Sequence, residues 1–193
     1  MLAGEFSQSQ LTADGLHPND LGHKLIATEI TGFLERVMAQ MEEMEEELLF
    51  PAPMTANSYE NARRLTIREA SPALSGFRAD PREQSGHLDG FKTGWIGQRP
   101  GDSIRFEVEA SCIVVQYRKT VRRPALAARL ILDGDTEHPI SLDGNFDEDW
   151  GDCLYLEPVL HRGQRGIHTV EIIVTDTRTE GAAPFYLLSL IVA

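Results

Sequence analysis

Between Asp20 and Leu49 the apolar side chains recur in steps of three and four, at Leu21, Leu25, Ile26, Ile30, Phe33, Leu34, Val37, Met38, Met41, Met44 and Leu48. One side of a 3.6-residue helix collects these positions, so the pattern predicts a single long amphipathic helix over residues 20–49. Pro18 and Asn19 supply its start, with Asn19 or Asp20 placed to accept hydrogen bonds from the unpaired amides of the first turn. Gly22 falls inside that turn, where a glycine is either tolerated or required by a close backbone approach. At the far end, Glu42-Glu43-Met44-Glu45-Glu46-Glu47 sets acids against the helix dipole. Such a block is a solvated face or an attachment surface for a basic partner. Phe50-Pro51-Ala52-Pro53 then stops the helix, because proline lacks the amide donor and holds its predecessor extended. A domain boundary is expected there.

Beyond residue 53 the period shortens to two. Alternating or β-branched runs occur at Arg64–Arg68, Ser103–Glu109, Cys112–Tyr117, Ala128–Leu132, His138–Leu142, Leu154–Leu156, His168–Thr175 and Phe185–Val192. They are separated by turn-forming stretches such as Arg99-Pro100-Gly101-Asp102, Asp133-Gly134-Asp135 and Asp143-Gly144-Asn145. About eight strands with no helical pattern between them predict an antiparallel sandwich. The expected fold is therefore mainly β. A β-sandwich of the jelly-roll kind occupies residues 54–193, and residues 1–50 carry a loop and one long amphipathic helix. No internal repeat is present.

Composition narrows the functional classes. The 193 residues are 41% hydrophobic and 25% charged, which is globular rather than disordered. A net charge of -12 gives no field that would gather a nucleic-acid backbone or an anionic membrane, so neither is an expected partner. No run of about eighteen apolar residues exists. Residues Met1–Gln10 lack the basic and apolar regions of a signal peptide, which slightly favours a cytoplasmic location. Cys112 and Cys153 are too few for a disulfide framework or a zinc site and read as small strand residues, with a single bridge between them as the alternative.

The chemistry is concentrated in Asp14-Gly15-Leu16-His17-Pro18-Asn19-Asp20-Leu21-Gly22-His23. An imidazole takes and returns protons near neutral pH, and a carboxylate on its other nitrogen fixes the tautomer and stabilises the imidazolium. Three residues of separation on a tight turn bring the two groups together with very little chain. The whole run, followed at once by an apolar helix, resembles the last catalytic block of the SGNH (GDSL-type) ester hydrolases. That resemblance implies His17 as general base, Asp14 as its orienter, and the helix of residues 20–49 as the final helix of an α/β domain. His23 is assigned to local structure. The departures are as informative. The family's serine belongs to a Gly-Asp-Ser block early in its α/β domain, with oxyanion donors from separate Gly and Asn blocks, and nothing ahead of Asp14 supplies them. Gly101-Asp102-Ser103 offers the letters but leads into an alternating strand instead of a helix, so Ser103 reads as a strand-start residue.

Residues 54–193 in turn resemble the galactose-binding-like jelly rolls that accompany carbohydrate-active esterases. The likeness rests on Gly94-Trp95, Pro100–Phe106, Leu132-Asp133-Gly134 and Gly166–Ile172. Trp95 and Trp150 are candidate sugar platforms, since an indole face suits apolar ring surfaces, and packing residues otherwise. The acidic loop Asp143–Asp152 opens like a calcium loop but carries Glu148 where an EF-hand needs glycine and Leu154 where it needs the bidentate glutamate. No metal or other cofactor is expected. Together these readings imply the C-terminal part of a serine ester hydrolase, carbohydrate-esterase-like, bearing the acid-base pair and an accessory sandwich and inactive without the segment that carries the serine. Its substrate would be an ester or acylated carbohydrate. The alternative is a non-catalytic carbohydrate-binding or interaction module. The apolar stripe of residues 20–49 also offers a surface for homo-oligomerisation.

Overall fold

The computed structural model describes residues 6–41, 56–86, 90–175 and 181–193. The chain divides into two compact units, Met1–Met54 and Thr55–Ala193. The acidic helix end, Glu42–Glu47, and the Phe50–Pro53 breaker lie outside the described residues.

The first unit contains a single-turn helix α1 (Gln8–Leu11) and the long helix α2 (Asp20–Met41). Between them the chain makes an antiparallel bridge, Thr12 to Pro18, that closes residues 13–17 into a loop. Asn19 caps α2: its Oδ1 accepts from the Gly22 amide at 3.0 Å, satisfying one of the donors a helix start leaves unpaired. The same residue ties α2 back to α1, with its amide on the Leu11 carbonyl at 2.8 Å and its Nδ2 on the Gln10 carbonyl at 2.9 Å. Gly22 is buried, and a Cβ there would lie 2.5 Å from the Leu11 carbonyl oxygen. The close backbone approach is thus the reason for the glycine. Along α2, Leu21, Ile26, Ile30, Phe33, Leu34 and Met38 are exposed, so the stripe that defines the helix is largely uncovered within the described residues of its own unit.

The second unit is a sandwich of two antiparallel sheets. One runs β3 (Arg78–Ala79), β4 (Trp95–Gly97), β11 (Phe185–Val192), β6 (Ile113–Lys119), β9 (Cys153–Leu160), with β1 (Arg63–Leu65) also paired to β11. The other runs β2 (Ala73–Ser75), β5 (Ser103–Ala110), β10 (Gly166–Val174), β7 (Ala127–Leu132), β8 (Ile140–Asp143). Alternation aims the core. On β5, Ile104, Phe106, Val108 and Ala110 point inward while Arg105, Glu107 and Glu109 face solvent. Val170, Ile172 and Val174 from β10 meet Val115, Tyr117, Leu187 and Leu190 from the facing sheet in one apolar cluster. Each such large side chain contributes about 1.5–3 kcal/mol by leaving water. β11 departs from alternation: seven of its eight residues are buried, and Tyr186 and Leu188 join Ile96 and Phe91 in a second, smaller cluster. A central strand covered on both faces reads as a continuous apolar run, which Phe185–Val192 is.

The predicted architecture is the observed one, mainly β with one long helix. Strands β2, β3 and β4, of two or three residues each, have no counterpart among the predicted runs, and β9 extends well beyond Leu154–Leu156. Both cysteines are free, Cys112 buried and Cys153 half-buried.

Candidate acid-base site

The loop closed by Thr12 and Pro18 is organised around one side chain. Asp14 Oδ1 accepts from the amides of Leu16 at 3.0 Å and His17 at 2.7 Å, and Oδ2 meets His17 Nδ1 at 2.7 Å. Gly15 takes φ of +81°, open to glycine at little cost, and its carbonyl is held by Gln8 Nε2 at 2.8 Å. The aspartate thus folds the turn and orients the ring with the same carboxylate. Hydrogen bonds from the His17 ring, the His17 amide and the Leu16 amide hold the Asp14 carboxyl far below the ordinary carboxylate range, so it is ionised at any pH where an imidazole titrates.

With Nδ1 on Asp14, the second ring nitrogen, Nε2, has no hydrogen-bond partner among the described residues. The His17 side chain is 78% exposed. An imidazole anchored through one nitrogen and open at the other is the arrangement a general base needs. His23 donates its amide to the Asn19 carbonyl at 2.8 Å within the first turns of α2, a local role.

The other candidates separate cleanly. Ser103 opens strand β5, and Asp102 before it accepts from the amides of Gln98 and Arg99 at 2.8 and 2.9 Å to build a turn with Gly101 at φ +88°. Trp95 is a packing residue and not a sugar platform: it is 2% exposed, packed edge-to-face on Phe106 inside the main core, and presents no ring face to a ligand. Its neighbours in sequence, Gly94 and Gly97, pass so close to β11 and Phe77 that a side chain would not fit, which is the packing signal that Gly94-Trp95 carried. Trp150 is 68% exposed and stands at right angles to Phe146, with ring centroids 5.1 Å apart. The acidic loop around it is stitched by local bonds. Asn145 reaches Asp143 and the Ala125 backbone, Arg123 reaches the Phe146 carbonyl and Asp147, and Asp152 accepts from Thr120. Among the described residues no three His, Cys, Asp or Glu side chains gather as a metal site.

Sequence reasoning missed a cluster of arginines on the outer face of the β3-β4-β11-β6-β9 sheet, where Arg78, Arg82, Arg118 and Arg122 line one cavity with Lys92. They are scattered over 45 residues of an acidic chain and share no spacing, so no linear pattern marks them.

No family model and no curated protein matches this chain. Among solved structures, a two-domain esterase (CEX) active on acetylated mannans, co-crystallised with mannopentaose, is 45% identical with a TM-score of 0.86. The match covers 98% of this chain and 50% of that one. A second structure of a CEX esterase gives 44% identity, a TM-score of 0.88, and coverage of 98% and 51%. The family two carbohydrate esterase from Cellvibrio japonicus is a far weaker likeness, at 16% identity and a TM-score of 0.43 over 68% of this chain and 33% of its own. The chain therefore spans about half the length of the two-domain esterases it resembles. The organisation expected from the sequence, an esterase segment followed by a jelly roll, agrees with that match.

Proposed function

We propose that this chain is the acid-base-bearing part of a serine ester hydrolase acting on acylated carbohydrate, with His17 as general base and Asp14 as the residue that positions it. The observation that carries this reading is the 2.7 Å contact between Asp14 Oδ2 and His17 Nδ1, in a chain 45% identical to half of an acetylated-mannan esterase. The serine and the oxyanion donors are assigned to the rest of the enzyme, the half that the matching esterases contain beyond this region. The uncovered stripe of α2 is where that α/β half would pack, since apolar surface of this extent is stabilised by leaving water.

In this scheme His17 Nε2 removes the proton from the serine hydroxyl as its oxygen attacks the acyl carbonyl. The tetrahedral intermediate then collapses, the sugar alkoxide leaves with the proton from His17, and the acyl group remains on serine. Water attacks next, His17 again taking a proton, and the carboxylic acid departs as the serine oxygen regains one. Throughout, Asp14 accepts the Nδ1 hydrogen and offsets the charge that imidazole acquires twice per turnover.

The test is complementation. The chain alone should release no acetate from acetylated mannan. Joined to a serine-bearing α/β segment, either one encoded directly ahead of Met1 or the corresponding half of the matching esterase, it should do so. A folded fusion with no hydrolysis on any acylated glycan would end this reading.

A second reading draws on Trp150, whose exposed indole suits stacking on a sugar ring. Here the sandwich binds glycan without catalysis. Mannan-oligosaccharide binding by the full chain that disappears in Trp150→Ala would support it, and equal binding by that variant would remove it.

A further inference from the structure

We infer that the outer face of the β3-β4-β11-β6-β9 sheet holds a site for a small oxyanion-bearing ligand, a carboxylate or a sulfate, gripped by Arg78, Arg118 and Arg122. This goes beyond the esterase reading and does not depend on Asp14 or His17. The chain carries a net charge of -12, yet among the described residues a cavity of about 450 Å³ on this face is lined by Arg78, Arg118 and Arg122, together with Arg82, Lys92 and the carboxylate of Asp152. In an acidic protein such a concentration of positive charge has a cost in mutual repulsion, which a bound anion would offset.

Arg118 is the central observation. Its side chain is only 17% exposed, and its Nε has no hydrogen-bond partner among the described residues. Nη2 donates to the Pro184 carbonyl at 3.2 Å, and Nη1 is 3.8 Å from the Asp152 carboxylate, too long for a hydrogen bond. Asp152 cannot come closer without loss, because its other oxygen holds the Thr120 hydroxyl at 2.6 Å and the Val121 amide at 3.3 Å. A guanidinium presents five donors, and a buried donor left unpaired is costly. The rings of Phe91 and Tyr186, with centroids 5.8 and 5.4 Å from its Cζ, attract the cation but give Nε no acceptor. Burial also lowers the affinity of Arg118 for its proton.

The neighbouring cations divide into structural and available ones. Arg82 is clamped by Asp80 through two bonds of 2.6 and 2.7 Å, and Asp80 also accepts from the Tyr186 hydroxyl, so this pair builds the wall of the cavity. Arg78 on β3 and Arg122 after β6 are exposed and have no ion pair among the described residues. A fork-shaped donor in the floor with two further guanidiniums at the rim matches the planar or tetrahedral oxygens of carboxylate or sulfate.

The test is titration of the full chain at low ionic strength with glucuronate, inorganic sulfate and neutral glucose, followed by calorimetry. Binding of either anion with none of glucose supports the site, and the tighter of the two tells carboxylate from inorganic oxyanion. Arg78→Gln combined with Arg122→Gln, both exposed and so compatible with folding, should weaken binding by roughly tenfold or more. Arg165→Gln, a surface arginine paired with Glu109, should leave it unchanged. Anion affinity that is the same in the double variant, glucose bound as well as glucuronate, or no anion binding at all would each overturn the inference.

Discussion

Two loops of this chain place an aspartate three residues ahead of a histidine, and both fold the same way. Asp135 Oδ1 accepts from the amides of Glu137 and His138 at 3.1 Å each, and Oδ2 lies 2.9 Å from His138 Nδ1. Asp14 repeats this with Leu16 and His17, down to exposures of 55% for the aspartate and 78% for the histidine against 53% and 80%. Hydrogen bonds from the histidine lower both carboxyls. The shared geometry is an aspartate side chain capping its own turn, which any polar loop can form. Acid-base potential therefore does not reside in the pair itself. It resides in the mounting: Asp14–His17 is fastened to the start of a 22-residue helix by Asn19, whereas Asp135–His138 lies in the connection between β7 and β8.

The hardest break in this comparison is histidine removal. In the complemented esterase, His17→Ala should lower acetate release by roughly 10⁵–10⁶-fold, as loss of a triad base does. His138→Ala, the geometric twin, should leave it unchanged. Equal losses, or none in either, would show that Asp14–His17 is as ordinary as its double. Asp14→Asn comes next, with a loss of roughly 10⁴-fold through the wrong imidazole tautomer, while Asp135→Asn should have no effect.

The mounting itself can be probed through glycine. In Gly22→Ala the new methyl would lie 2.5 Å from the Leu11 carbonyl oxygen, so the α1–α2 junction must shift. The expected cost is about 1–3 kcal/mol, less the gain of about 1 kcal/mol that alanine brings to a helix. Gly134→Ala beside the other loop meets no atom within 4 Å and carries only the strain of φ +78°, about 1 kcal/mol. Helix-band circular dichroism during thermal unfolding reads the first, and the sheet signal reads the second.

Much of this was legible in order along the chain. The three- and four-residue steps of α2 and the alternation of β5 are local consequences of which face is buried, so the linear pattern exposes them. So does an Asp-x-x-His turn, whose contacts span three residues. Strands β3 and β4 are too short to alternate, and only pairing makes them strands, β4 with the buried β11 and β3 with β4. Trp95 stayed open between platform and packing because an indole reads the same in a core as on a platform; only the facing Phe106 decides. The arginine cavity was invisible because strand pairing brings Arg78 and Arg118 to one face and the loop after β6 adds Arg122. The twin at Asp135 sits in plain sight in the sequence as Asp-Thr-Glu-His, and it is a caution that a motif's spacing fixes geometry before it fixes function.

A third aspartate–histidine contact sharpens the contrast from the side of stability. Asp133 Oδ2 reaches His168 Nδ1 at 2.7 Å between the β7–β8 connection and β10, and the His168 side chain is only 16% exposed, unlike His17 or His138. The hydrogen bond to Asp133 raises His168 above its ordinary 6.5. Burial opposes the Asp133 charge, but the His168 ring and the Thr169 amide outweigh it and hold the carboxyl below 3.8. Protonated His168 therefore stabilises fully below pH 6.5 and loses that contribution as pH rises through its raised value. Ionised Asp133 stabilises fully above pH 3.8 and loses its contribution as pH falls through its lowered value. The sandwich should gain most from the pair between those two limits. Its unfolding midpoint should drop on going from pH 6 to pH 8, and His168→Gln should flatten that slope slightly, since Asp133 is half-exposed and partly screened. His138→Gln should change the unfolding midpoint little, because this pair lies exposed in a turn where solvent screens it. If both variants keep the wild-type slope, burial of the ring does not distinguish His168 from the two loop histidines.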